Sequence, residues 1–184
     1  MAIQRIAVLG AGQMGNGITQ VAAAAGYDVI MIDIQQEYVD KGLATIQRSL
    51  GKLVSKERMS QEDADATLAR ISLATDRNVC ADCDLVVEAV PEILDLKTSI
   101  FAELDGICKP ETILASNTSS ISISTIADAT NRPDRVIGMH FMNPVPIMKL
   151  VEVINGDKTS SCLLYTSDAA DEGLGVDLGG RRII

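Results

Sequence analysis

The chain has 184 residues, of which 47% are hydrophobic, and its formal net charge at pH 7 is -9. This length is sufficient for one domain with a sizeable core, and the abundance of Ala, Ile, Val and Leu fits an α/β core. The acidic balance argues against nucleic acid as a main partner, because neutralising phosphates requires clustered Lys and Arg. A small anionic ligand remains compatible, since backbone amides and one or two lysines can hold it locally.

No segment is long or apolar enough to span a membrane, and the N-terminus shows neither a signal peptide nor a transit peptide. We therefore expect a cytoplasmic protein with no membrane partner. Among the four cysteines, Cys80 and Cys83 form a lone C-x-x-C pair. A zinc site requires a second pair or nearby histidines, whereas the one histidine lies far along the chain. We predict reduced thiols and no metal.

The chain begins with an apolar run at residues 6–9 that leads directly into the turn GAGQMG at residues 10–15. An Ala-rich helical segment and a second apolar run at residues 29–32 follow. This order of strand, G-x-G-x-x-G turn, helix and strand is typical of dinucleotide-binding folds. Gly10 permits the tight turn, Gly12 lets a pyrophosphate approach the backbone, and Gly15 allows helix and strand to pack closely. With Gln13 and Met14 they form the predicted phosphate site, because a helix N-terminus offers free N–H groups and positive dipole charge.

Asp33 ends the second apolar run, about 20 residues after the glycine turn. An acid at this position can accept hydrogen bonds from both ribose hydroxyls, and its charge would repel a 2′-phosphate. The sequence therefore favours NAD over NADP as the cofactor.

Beyond Asp33 the chain alternates between helical and strand patterns. An apolar face at three- and four-residue steps predicts a helix through residues 39–53, and Ser60 is a candidate N-cap for a helix over residues 61–70. Strands are predicted at residues 71–74, 85–90, 112–115, 136–139 and 149–154, with helices at 94–104 and 121–127. The alternation predicts a Rossmann-type α/β fold with a doubly wound, mostly parallel sheet, in which a late strand can be reversed.

Polar side chains follow three of the predicted strands: Glu92, residues 117–120 and His140. Ligands of such sheets bind outside the carboxyl ends of the strands. Oxidising an alcohol requires a base for the hydroxyl proton, and imidazole titrates in the right range. Glu152, on the next strand, is the natural carboxylate to orient that base. The alternatives are a structural histidine and a surface glutamate, which the strand-end position and the apolar neighbours of Glu152 disfavour.

The segments SNTSSISIS at residues 116–124 and GMHFMNPVPIMKLVEVI at residues 138–154 resemble the L-3-hydroxyacyl-CoA dehydrogenase family, including its 3-hydroxybutyryl-CoA dehydrogenases. The resemblance runs over residues 3–159. It implies NAD-dependent oxidation of a 3-hydroxyacyl-CoA, or reduction of the ketone with NADH, in fatty acid or butanoate metabolism. Related members of the family oxidise sugar acids instead.

The resemblance also implies roles for individual residues. His140 is the general base, Glu152 orients it, and Ser119 hydrogen-bonds the substrate oxygen. The matching cofactor contacts beyond the glycine turn and Asp33 are Glu92, Lys97, Asn117 and Asn143. Ser49 and Lys56 fall where the family contacts CoA, although a solvated helix face is the simpler explanation for their surroundings.

The last part of the chain departs from the family, whose members continue into an all-helical domain that supplies the dimer interface and part of the acyl-CoA cleft. The sequence indicates an NAD-binding domain at residues 1–161 without that helical domain. Residues 162–184 resemble translated transposon-end and sequencing-adapter DNA. We expect them to be a non-native, disordered tail, so that Cys162 is not a biological cysteine. An alternative function is therefore an NAD-binding module with little catalysis, while the parent protein is a homodimer.

Overall fold

The computed structural model describes residues 3–161, residue 163 and the backbone of residues 181–183. Its strands are β1 (Arg5–Leu9), β2 (Asp28–Ile32), β3 (Ile71–Ala74), β4 (Leu85–Glu88), β5 (Ile113–Ser116), β6 (Val136–Phe141), β7 (Val151–Asn155) and β8 (Arg181–Ile183). Its α-helices are α1 (Gln13–Ala24), α2 (Gln36–Ser55), α3 (Gln61–Ala69), α4 (Leu94–Ile107) and α5 (Ile123–Ala127), and short 3-10 helices span Arg77–Asp82 and Pro133–Arg135. Each predicted strand and helix is present, with ends shifted by a few residues.

The strands form one sheet in the order β3-β2-β1-β4-β5-β6-β7-β8. Neighbouring strands from β3 to β6 are parallel, whereas β7 runs antiparallel to β6. The expected doubly wound, mostly parallel sheet and its late reversed strand are therefore confirmed. The strand order turns back between β1 and β4, which opens a crevice at the carboxyl ends of these strands.

Both faces of the sheet are covered, which explains its continuous apolar runs. In β1, Ala7 and Leu9 pack in the same cluster as Phe101 of α4, whereas Ile6 and Val8 pack on the other face with Ile18 of α1. Each of these six side chains is at most 5% exposed. The glycine turn that follows β1 therefore projects from a strand that is anchored on both sides.

The long connection between β2 and β3 folds as the spacing of its apolar residues predicts. Val39, Ile46 and Leu50 of α2 are buried against α3, where Ala64 completes the cluster. The side chain of Ser60 caps α3 by accepting a hydrogen bond from Asp63 N at 3.0 Å. Among the described residues, no helix combines the length and apolar character needed to cross a membrane.

The cysteines of the C-x-x-C pair are free thiols inside the protein, as is Cys108. Burial raises the pKa of Cys83 and Cys108 to about 11 and moves the pKa of Cys80 upward as well. These thiols stay protonated near neutral pH, and protonated thiols are poor nucleophiles and metal ligands. Cys162 lies outside the described residues.

The strand β8 adds to the free edge of β7 in antiparallel register, with Val153 opposite Arg182. An edge strand has unpaired N–H and C=O groups, and these can form hydrogen bonds with the backbone of another segment. The structure thus gives residues 181–183 a strand where the sequence predicts disorder. Most of residues 162–184 lies outside the described residues, and the non-native origin of that segment stays a prediction.

The amino end of the sheet is tied together by Asp84. Its carboxylate accepts hydrogen bonds from Gln4 N and Arg5 N, both at 2.9 Å, and from Lys109 Nζ at 2.7 Å. Burial alone would raise the pKa of Asp84, but these hydrogen bonds, led by that from Lys109, lower it to about 2. The charged form is therefore favoured in the folded protein.

Replacing Asp84 by Asn should lower the free energy of unfolding at pH 7 by about 1–2 kcal/mol, since a charged hydrogen-bond acceptor is lost. A lowered folded-state pKa stabilises the protein above the unfolded pKa, so this contribution should disappear as the pH falls from about 4 to about 2. Urea unfolding at several pH values measures it. Asp82→Asn, at an exposed neighbour, is the matched control, and equal losses in both variants would contradict the assignment.

Candidate active site

The glycine turn has the geometry that its sequence predicts. Gly10 adopts φ +99°, and a Cβ there would lie 2.6 Å from Ala89 O, so a side chain is excluded. A Cβ on Gly15 would lie 1.6 Å from Gly10 O, whereas one on Gly12 would meet nothing within 4 Å. Gly12 is the N-cap of α1, and Gln13 and Met14 form the first turn of that helix, where backbone N–H groups lack intrahelical partners. Open space in front of these donors suits an anionic group.

Asp33 follows β2 and also holds the turn in place. Its Oδ2 accepts a hydrogen bond from Ala11 N and its Oδ1 one from Ile34 N, each at 2.7 Å. A cavity of about 270 Å³ lies beside it at the ends of β1 and β2, with lining residues that include Gly10, Asp33, Ile34, Arg77 and Glu103. The sequence predicts a ribose contact for Asp33 but did not predict its hydrogen bond from Ala11 N.

His140 and Glu152 face each other across the antiparallel pair β6 and β7. His140 Nδ1 lies 2.8 Å from Glu152 Oε2, and the two side chains are 21% and 24% exposed. On its other side His140 Nε2 lies 3.2 Å from Ser119 Oγ, in the loop after β5. In the neutral tautomer that this geometry favours, Nδ1 donates to the carboxylate and Nε2 carries the free lone pair. The three residues that sequence and resemblance single out are thus brought together.

The loop of residues 117–120 is held by Glu92, which follows β4. Glu92 Oε1 accepts hydrogen bonds from Ser119 N at 3.0 Å and from Ser120 N at 3.1 Å. The hydroxyl groups of Thr118 and Ser120 donate to the same oxygen. Glu92 therefore contacts the backbone that carries Ser119.

Lys97 lies in a buried ion pair. Its side chain is 1% exposed, and its Nζ lies 2.7 Å from Glu88 Oε1 and 3.2 Å from Glu92 Oε2. A third acceptor, Val90 O, is 3.4 Å away, so the three N–H donors of the ammonium all have partners. Ser116 Oγ donates to the second oxygen of Glu88 at 2.6 Å. Lys97 is therefore the buried partner of Glu88, a pairing that the sequence did not identify.

Two asparagines form hydrogen bonds that join β6 and the loop after it to other parts of the site. Asn117 Oδ1 accepts a hydrogen bond from Phe141 N at 2.8 Å, next to His140. Asn143 Oδ1 accepts one from Gln13 Nε2 at 3.0 Å, which connects the glycine turn with the loop after β6. These contacts place the turn and His140 at one crevice.

Ser49 and Lys56 lie apart from this cluster. Ser49 is on α2, and Lys56 is the exposed residue at the C-terminal end of that helix. Neither side chain hydrogen-bonds to Ser119 or His140 within the part of the chain that the structure describes. Their contact with CoA stays a prediction.

The crevice lies where the strand order turns back, at the place where doubly wound folds bind dinucleotides. An imidazole oriented by a carboxylate at this edge has the chemistry of a general base. The arrangement is the kind that nicotinamide-dependent dehydrogenases use.

Comparison with known proteins identifies one family within this class of dehydrogenases. A family model described as "3-hydroxyacyl-CoA dehydrogenase, NAD binding domain" matches residues 5–175. A probable 3-hydroxybutyryl-CoA dehydrogenase of Deinococcus radiodurans is 53% identical over 156 residues, which cover 85% of this chain and 56% of that protein. A probable 3-hydroxybutyryl-CoA dehydrogenase of Bacillus subtilis is 49% identical over 160 residues, or 87% of this chain and 56% of that protein.

A solved structure gives the same result. The crystal structure of (S)-3-hydroxybutyryl-CoA dehydrogenase from Ralstonia eutropha superposes with a TM-score of 0.89 at 46% identity, covering 92% of this chain and 60% of that one. The chain belongs to the 3-hydroxyacyl-CoA dehydrogenase family and corresponds to its NAD-binding domain, so its cofactor is NAD. It spans about half the length of the curated relatives that it matches.

Proposed function

We propose that the protein carrying this domain oxidises the 3-hydroxyl group of an L-3-hydroxyacyl-CoA such as 3-hydroxybutyryl-CoA, or reduces the 3-ketone in reverse. The observation that carries the proposal is the continuous contact from Ser119 through His140 to Glu152. Support comes from the family match and from relatives named 3-hydroxybutyryl-CoA dehydrogenase.

His140 acts as the base in this proposal. Its Nε2 takes the proton from the substrate hydroxyl as the carbonyl forms, and Glu152 stabilises the resulting imidazolium through Nδ1. NAD, when bound, would accept the hydride from the substrate carbon that bears this hydroxyl. Ser119 Oγ, beside Nε2, donates a hydrogen bond to the substrate oxygen and orients it. The reverse reaction uses the same groups with the proton returning from the imidazolium.

The described residues fit NAD at several points. Gly10, Gly12 and Gly15 with the N–H groups of Gln13 and Met14 would hold the pyrophosphate. The chemistry of Asp33 suits the adenosine ribose, next to the 270 Å³ cavity. Asn143, bonded to Gln13, would contact the nicotinamide half together with Asn117 and Glu92. Lys97 would act on the cofactor only through its ion pair with Glu92.

Replacing Asp33 by Ser should raise the affinity for NADPH relative to NADH by about tenfold or more, because a charge that repels the 2′-phosphate and accepts ribose hydrogen bonds is lost. Fluorescence titrations with both reduced cofactors measure this ratio. Asp28→Ser, an exposed acid at the opposite end of β2, is the matched control and should leave the ratio unchanged. Equal affinity for NADH and NADPH in the unmodified protein would contradict the role of Asp33.

The substrate's CoA moiety would be held in part by Ser49 and Lys56 on and after α2. We place the reaction in fatty acid oxidation or butanoate metabolism in the cytoplasm, since the proposed substrate belongs to that chemistry. We also propose that the whole protein is a homodimer formed through a helical domain of the kind that the family resemblance implies.

A second candidate function is that this chain binds NAD and catalyses little, because it spans only 56% of the length of a relative named probable 3-hydroxybutyryl-CoA dehydrogenase. A third is oxidation of a sugar acid, against which the Ser49 and Lys56 positions argue weakly. An NADH fluorescence titration, an acetoacetyl-CoA reduction assay and an oxidation assay with the sugar acid gulonate on the 184-residue chain separate these functions. Binding with turnover supports the dehydrogenase, binding without turnover supports the module, and turnover of gulonate alone would contradict CoA recognition.

We further propose that residues 162–184 are non-native and that the natural gene continues after residue 161 into a helical domain. The support is the resemblance of residues 162–184 to translated adapter DNA. Sequencing the source gene by a method without transposon-based library preparation tests it. A frame that continues into helical sequence is the expected result, and a gene that encodes the tail as printed would overturn the proposal.

A further inference from the structure

One carboxylate organises the whole loop that carries Ser119. Glu92 Oε1 accepts four hydrogen bonds, from the main-chain N–H groups of Ser119 and Ser120 and from the hydroxyl groups of Thr118 and Ser120. Its other oxygen lies 3.2 Å from Lys97 Nζ. An acceptor shared by this many donors restrains the loop in a single arrangement, since moving the loop would leave several donors unpaired.

The carboxylate of Glu92 also forms an ion pair with a lysine from the protein interior. Lys97 is 1% exposed and bridges Glu92 to Glu88, which is 0% exposed, whereas Glu92 is 39% exposed. Burial alone would raise the pKa of Glu92, but the hydrogen bonds from Thr118 and Lys97 outweigh it and lower the pKa to about 2. Glu92 therefore remains ionised at neutral pH. Rigid elements fix the ion pair, because Glu88 ends β4 and Lys97 lies on α4.

The loop that Glu92 restrains lies next to His140 in the folded protein. Ser119 receives its main-chain restraint from Glu92 at 3.0 Å and presents its Oγ at 3.2 Å from His140 Nε2. We propose that Glu92 is a positioning residue that acts through the main chain of Ser119 to hold Ser119 Oγ against His140 Nε2. The inference rests on the proposed function, in which these two groups meet the substrate oxygen. It gives Glu92 and Lys97 a task in addition to the cofactor contact that the family resemblance implies.

The test uses the one histidine of the chain as a probe. The ¹⁵N chemical shift of His140 Nε2 reports its hydrogen bond to Ser119 in the labelled 184-residue protein. Glu92→Ala should move this resonance in the same direction and by a similar amount as Ser119→Ala, and the double variant should move it no further. Glu92→Asp keeps the charge and the fold but shortens the side chain, so it should produce a shift of the same sign.

Glu62→Ala, in the exposed first turn of α3, is the control and should leave the resonance in place. In turnover assays Glu92→Ala should lower kcat by up to about 100-fold, a much larger factor than its effect on the dissociation constant for NADH, as expected for a misplaced reacting group. Two results would overturn the inference: a resonance unmoved by both Glu92 substitutions, or a double variant whose shift is the sum of the single ones. Weaker NADH binding with an unmoved resonance would identify Glu92 as a cofactor contact instead.

The failure of this inference differs from a failure of the proposed function. Undiminished turnover in a His140→Ala variant would contradict the proposed base, and the chemical-shift comparison among the Glu92 and Ser119 variants would still be interpretable. Loss of turnover in His140→Ala with no effect of Glu92→Ala on the resonance would retain the function and reject the positioning role.

Discussion

His140→Ala should lower kcat for acetoacetyl-CoA reduction by about 10²–10⁴-fold, the range that a positioned general acid or base contributes. In the proposed mechanism the imidazole exchanges the proton with the substrate oxygen, and its contacts are with Ser119 and Glu152. The cofactor's predicted phosphate and ribose sites lie at the glycine turn and Asp33, so the dissociation constant for NADH should stay the same. Steady-state kinetics and a fluorescence titration on the same preparation measure both quantities.

Lys158→Ala is the control for this experiment. Lys158 pairs with Asp128 on the surface, where the side chains are 63% and 59% exposed, and its loss should leave kcat unchanged. If His140→Ala retained the kcat of the unmodified enzyme, another group would have to be the base. If it lost NADH binding as well, the histidine would be supporting the cofactor site and the separation of roles would be wrong.

Lys97→Met should destabilise the protein by about 3–5 kcal/mol, because removing one partner of a buried pair leaves an uncompensated charge. Glu88 is 0% exposed and its partner Lys97 is 1% exposed, so water does not replace the lost ammonium. Urea unfolding gives the free-energy difference, with the slope of the transition as a check that unfolding remains two-state.

Two further variants identify the cause of that loss. Lys41→Met removes a cation whose pair with Glu37 is 69% and 66% exposed, and exposed pairs contribute little. Glu88→Leu together with Lys97→Met removes both buried charges and should recover part of the stability. An unfolding free energy in Lys97→Met equal to that of the unmodified protein would show that the charge of Glu88 is tolerated without its partner.

Local patterns were sufficient to predict most of the fold. The G-x-G-x-x-G turn, the alternation of strands with helices and the apolar face of α2 each follow from short-range spacing, and the structure has all three. The ends of elements were less accurate. The strand β6 continues to Phe141, beyond the predicted end at residue 139, because its pairing with β7 supplies hydrogen-bond partners that spacing does not reveal.

For the candidate site, too, the sequence was sufficient to predict some contacts and not others. Glu152 could be paired with His140 because His140 directly follows one predicted strand and Glu152 lies on the next. The anchoring of Lys97 between Glu88 and Glu92, and of Asn117 on Phe141 N, could not be predicted. These contacts depend on side-chain direction and burial in three dimensions, which residue spacing leaves undetermined. One sign was visible: a glutamate inside the apolar run of β4 required a partner.

The cross-strand position of His140 and Glu152 has a consequence for how such enzymes diversify. The two residues are 12 positions apart in the chain and directly opposite in the β6–β7 register. A slip of one residue would send either side chain to the other face, so insertions within the hairpin are tolerated only if they loop out beyond the paired strands. Gene recombination with breakpoints on either side of this short block transfers His140 and Glu152 together. Chimaeras between relatives can therefore exchange other segments of the domain while inheriting this histidine–carboxylate pair intact.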